Sequence, residues 1–137
     1  MTDKELFKID LYQRLPYDCK VSIAAGGIDG LQWNDETLNS YLMYEIENED
    51  AWDYIKPYLR PLSSMTDKEK EEMKKILSPY GTAIFDKEGI HIPMTHTGDF
   101  VPYNFMNNVI KWLLKKQFDI NGLIDMDLAI PINNDII

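Results

Sequence analysis

One cysteine, two histidines and no long apolar run set the outer limits on this chain. Cys19 has no partner for an internal disulfide, so the core alone must hold the fold. No stretch approaches the roughly 18 consecutive apolar residues that cross a bilayer. The first residues, Met1-Thr2-Asp3-Lys4-Glu5, carry acid where a secretory leader carries base, and no apolar segment follows them. These absences lead us to expect a cytoplasmic protein.

Basic residues are scarce and, above all, unevenly placed. The formal charge is −9, and residues 21–55 contain no Lys or Arg but eight acids: Asp29, Asp35, Glu36, Glu45, Glu47, Glu49, Asp50 and Asp53. A second base-free stretch, residues 117–137, carries Asp119, Asp125, Asp127 and Asp135. The rest of the chain is mildly basic, at +3. Phosphate backbones and anionic lipid surfaces attract Lys and Arg, so this layout disfavours direct binding to nucleic acid or membrane.

What is present is a globular balance. Hydrophobic residues make up 45% and aromatics 12% of 137 residues, enough for one core, and no linker or repeat divides the chain. We therefore expect a single domain over 1–137. Its class is α+β, with a small antiparallel sheet in the N-terminal half that has the option of closing into a barrel.

Thr2 and Glu5 have the spacing of a capping box and predict a short helix with Leu6, Ile9 and Leu11 facing inward, ended by Pro16. Cys19, Val21 and Ile23 alternate with Lys20, Ser22 and Ala24, predicting a strand, and Gly26, Gly27 and Gly30 then mark a turn or bulge. A phosphate-cradling loop would need a following helix and a nearby base, and the next segment offers neither. Strands are predicted at 31–33 and 40–47, the second from the alternation of Leu42, Tyr44 and Ile46 with Tyr41, Met43 and Glu45.

The clearest local signal is Met65-Thr66 with Glu69, acids early and Lys74-Lys75 late, which predicts a capped surface helix over 67–77. A hairpin follows over about 82–92. The main core helix is predicted at 103–116, with Phe105, Met106, Val109, Ile110, Trp112, Leu113 and Leu114 opposite Asn and Lys. Leu128-Ala129-Ile130 is a candidate last strand.

The segment KPYLRPLSSMTDKE at 56–69 occurs together with Leu15-Pro16-Tyr17, Trp112-Leu113, Phe118-Asp119 and Gly122-Leu123-Ile124. This combination resembles small proteins frequent in Bacteroides-type bacterial genomes and in their phages and mobile elements. The resemblance covers about half the chain and brings no activity to transfer, hence no catalytic residues. It implies a context, that of a small accessory protein of phage or prophage type.

Candidate chemistry is thin. His91 and His96, with Asp86, Glu88 and Asp99, lack the tight spacing of a metal site. On a strand, Glu45, Glu47 and Glu49 would share one face with Asp50 and Asp53 beyond it, but no Asx-Gly calcium loop is present. Cys19 has no activating neighbour, and no Ser sits in a nucleophile elbow. No metal, no cofactor and no catalysis are expected.

Aromatics cluster where the acid does: Trp33, Tyr41, Tyr44, Trp52, Tyr54 and Tyr58. About half should be core, leaving two or three for a partner. Tyr and Trp anchor interfaces, and surrounding charge steers a partner of opposite sign. The expected site is a protein-binding face of Glu45, Glu47, Glu49, Asp50, Asp53, Trp52 and Tyr44, meeting a protein with a basic surface. Its sharpest form is an anti-CRISPR or anti-restriction inhibitor filling a nucleic-acid groove. The alternatives are a small enzyme or ligand-binding domain for a nucleotide-like or sugar metabolite, and a virion or assembly component, with homo-oligomerisation open in each.

Overall fold

The structure is a computed structural model and describes residues 1–25, 32–48, 51–77, 84–86, 89–91 and 103–132. Expectations for Gly26, Gly27, Gly30, Leu31, Glu49, Asp50, Glu88, His96 and Asp99 lie outside these residues. The fold is α+β, with four helices, a four-stranded mixed sheet and a separate hairpin among the described residues.

Helix α1, Asp3–Arg14, starts as its spacing predicts, with the Thr2 hydroxyl accepting from the Glu5 amide at 3.1 Å. Its inward face differs from the expected one. Phe7, Asp10, Leu11 and Arg14 are buried, whereas Ile9 is exposed. Asp10 and Arg14 can point inward because they sit one turn apart and neutralise each other, with Arg14 Nε donating to Asp10 Oδ1 at 2.6 Å.

Strand β1, Lys20–Ala25, pairs antiparallel with β2, Gln32–Thr37, and with β3, Ile55–Leu59. Strand β6, Ile130–Pro131, completes the order β2-β1-β3-β6 and runs parallel to β3. Parallel neighbours need a long crossover, and the chain between Arg60 and Ala129 supplies it. The N-terminal-half strands β1, β2 and β3 are antiparallel as expected, the C-terminal β6 makes the sheet mixed, and the sheet is not closed, which corrects the barrel-like option.

The predicted strand at 40–47 is instead helix α2, Ser40–Asn48. Leu42 and Ile46 fit both a period of two and a period of 3.6, so positions 43 and 44 decide between them. Met43 is 3% exposed and Tyr44 56%, the helical outcome. Asn39 starts the helix, its Oδ1 accepting from the Leu42 amide at 2.9 Å. One core gathers Phe7, Leu11, Val21, Leu42, Ile46, Ile55 and Leu59 between α1, α2 and one side of the sheet.

Helix α3, Asp67–Leu77, has the predicted bounds. Its capping box is reciprocal: the Glu69 amide donates to the Thr66 hydroxyl at 3.2 Å, and the Thr66 amide donates to Glu69 Oε1 at 3.0 Å. The hairpin is β4, Ile84–Asp86, against β5, Gly89–His91. Helix α4, Tyr103–Lys115, joins α3 in a second cluster with Met65, Met73, Leu77, Leu113 and Phe118. It ends in a Schellman motif: Gln117 takes φ 63°, its amide donates to Leu114 O, and the Phe118 amide donates to Leu113 O.

Candidate functional site

The acids expected to form one face are split by the helix. Successive residues of α2 are turned by about 100°, so Glu45 and Glu47 point in directions about 200° apart. Glu45 is half-buried and Glu47 exposed. The single strand face of Glu45, Glu47 and Glu49 therefore does not exist, since the first two stand on a helix. Trp52 follows α2 in a short 3-10 turn, Ala51–Tyr54, and leans on the core, its ring 6.1 Å from that of Phe7. Asp53 in the same turn is exposed.

What the helix does bring together is a groove. Leu15, Ser40, Met43, Tyr44, Glu47, Asn48 and Tyr12 enclose about 320 Å³ between the end of α1 and the outer side of α2. Tyr12 closes it by donating its hydroxyl to Glu47 Oε1 at 2.9 Å. That bond, with the nearby negative charge, raises the Tyr12 phenol above its usual range, because ionisation would lose the donated proton and face a carboxylate. Tyr12, Tyr41, Tyr44 and Tyr54 all expose large parts of their rings.

Tyr44 and Glu47, expected on a strand face, line this groove from α2. Tyr12 was missed. It lies 35 residues from Glu47 and meets it only through packing of α1 on α2. The available signal was the helical period of α1: once Phe7, Leu11 and Arg14 face inward, Tyr12 is turned about 100° away from Leu11.

The other face of the sheet carries a second polar group. Ser22 on β1 stands opposite Asp35 on β2 and Lys56 on β3. Tyr58 donates to Asp35 Oδ1 at 2.5 Å, which raises its phenol, and Lys20 donates to the Thr37 hydroxyl. These groups are largely paired with one another. Cys19 is buried, and burial pushes its thiol up to about 12, so it stays protonated and a poor nucleophile.

A third polar region lies around Phe118. Arg60 makes a two-pronged pair with Glu69, Nη1 to Oε2 at 2.8 Å and Nη2 to Oε1 at 2.7 Å, and its guanidinium lies 4.3 Å from the Phe118 ring centroid. Arg14 reaches the same residue from α1, Nη2 donating to Phe118 O at 2.7 Å. Asn121 donates to Asp10 Oδ2 at 2.7 Å, completing the tie between α1 and the segment after α4. These charges are buried and paired with carboxylates, which marks them as structural, although Arg14 Nη1 and Arg60 Nε have no hydrogen-bond partner among the described residues.

Comparison of the chain with protein-family models, with curated proteins and with solved structures gave no match. Among the described residues no helix is long and apolar enough to cross a membrane.

Proposed function

We propose that this chain is a noncatalytic binding protein that docks through the outer side of α1 and α2 on a basic surface of another protein. The observation that carries this reading is the groove in which Tyr12 and Tyr44 flank Glu47. Exposed tyrosines supply contact area at low entropic cost, and the base-free stretch from 21 to 55 places no competing cation in that part of the chain. The resemblance to phage and mobile-element proteins supports a narrower form, an anti-CRISPR or anti-restriction inhibitor that fills a host protein's nucleic-acid groove.

The test is charge reversal. A variant with Glu45→Lys, Glu47→Lys and Asp53→Lys should lose its captured partner and any protection of phage plating in a host with active defence. The same partner at the same yield, with plating unchanged, would remove the proposal.

A second reading draws on the same groove, whose size and mixture of aromatic and carboxylate groups also suit a small metabolite. A thermal-shift screen with nucleotides and sugars separates the two, since a ligand at a hundredfold its Kd stabilises by about 2.7 kcal/mol.

A further inference from the structure

We propose that the α1–α2 groove is a receptor for one arginine side chain. The inference rests on the binding reading above and narrows it to a single anchoring residue of the partner.

Three features of the groove select that side chain. Its floor is apolar, supplied by Leu15 and Met43, and matches the methylene stem of a long side chain. Tyr12 and Tyr44 also line it and are exposed, and the face of a tyrosine ring attracts a cation. Beside them stands Glu47, exposed and oriented by the Tyr12 hydroxyl on Oε1, a carboxylate with capacity for further donors.

A planar guanidinium satisfies all three at once. It stacks on an aromatic face while presenting parallel N–H groups to a carboxylate, whereas an ammonium offers a hydrated point charge with neither geometry. The molecule already contains this combination in closed form. Arg60 makes a two-pronged pair with Glu69 while lying over the Phe118 ring. The groove holds the ring and carboxylate half of the same arrangement, with the guanidinium to come from outside. Its volume of about 320 Å³ is ample for one such side chain.

The experiment uses the full chain and three blocked pentapeptides with a central arginine, lysine or citrulline between glycines. Ring and side-chain resonances of Tyr12, Tyr44 and Glu47 are followed by NMR as each peptide is added. The arginine peptide should saturate with a dissociation constant in the millimolar range, several-fold tighter than the lysine peptide, and citrulline should give no saturable shift. Tyr44→Ala and Glu47→Gln should each abolish the arginine response, with the amide spectrum otherwise preserved. Tyr12→Phe should weaken it, because Glu47 loses its orienting bond.

Equal response to citrulline, equal affinity for lysine and arginine, or full binding by Glu47→Gln would each overturn the inference. If the arginine peptide fails while charge reversal still abolishes partner capture, the receptor falls and the binding face stands. If charge reversal also has no effect, both fall.

Discussion

The two base-free acidic stretches look alike in composition, yet Asp119 of the second and Glu47 of the first are used in opposite ways. In the second, Asp119 accepts from the amides of Leu123 and Ile124 at 2.9 and 3.0 Å, and Asp127 lies 3.5 Å from the Lys56 ammonium. Those carboxylates close a turn and tie it to β3. In the first, Asp35 accepts from Tyr58 on the sheet, but Glu47 faces a groove and is bonded by a tyrosine that is itself exposed. The contrast extends to the guanidinium groups: Arg14 and Arg60 are buried near Phe118, paired with Asp10 and Glu69 and with no acid of α2. Net charge therefore says little about availability. What matters is whether a backbone amide or a buried cation has already claimed the carboxylate.

The largest effect should come from the claimed carboxylate with the strongest partner. Arg60 beside Glu69, with the Thr66 amide and hydroxyl, holds that carboxyl down at about 2, against a usual 4.5. A depressed carboxyl contributes stability that is fully present above its unfolded value and is lost as pH falls through the folded one. The window therefore runs from about 4.5 down to about 2. Glu69→Gln leaves Arg60 buried without its counter-charge and should cost about 3–5 kcal/mol in urea unfolding at neutral pH. Its stability should also fall less than that of the parent between pH 5 and 3. A neutral-pH loss below about 1 kcal/mol would make this pair as dispensable as a surface one.

Asp119→Ala comes next. Removing a carboxylate that satisfies two amides should cost about 1–2 kcal/mol, in the range of a lost helix cap. Partner capture should be untouched, because Asp119 belongs to the structural stretch. Loss of capture at unchanged stability would break the division between the two stretches.

That division was only partly legible in the sequence. Helix α3 could be read to the residue because Thr66 and Glu69 specify its start chemically, with no help from tertiary packing. The hairpin was equally local. Helix α2 was not readable: Leu42 and Ile46 satisfy both periods, and only the exposure of Tyr44 and the Asn39 cap choose between them. Helix α1 hid its inner face for a different reason. Asp10 and Arg14 look like solvent residues one at a time and become core residues as a pair. The same limit applied to the groove. Tyr44 and Glu47 stand out in the sequence as an aromatic beside an acid, but Tyr12, which lines the groove with them, belongs to another helix, and no local pattern joins them.

The smallest expected effect tests that join most directly. Glu47→Gln keeps the size of the side chain and a hydrogen-bond acceptor for Tyr12 but removes the charge. Tyr12 should then titrate at lower pH in an alkaline ultraviolet or NMR titration, since its raised phenol derives first from the bond to Glu47 and further from that charge. Tyr58, raised through Asp35 on the far side of the sheet, should not move and serves as the internal reference. A raised phenol stabilises the fold below its unfolded value of 10.0, neutral pH included, and the advantage is lost as pH climbs through the folded value, so the substitution should lower stability slightly in urea unfolding at neutral pH and the difference from the parent should shrink in alkali. If Tyr12 and Tyr58 keep their separate titrations in the variant, Tyr12 does not meet Glu47 in solution. The groove would then lose its oriented carboxylate, and with it the feature that distinguishes the first acidic stretch from the second.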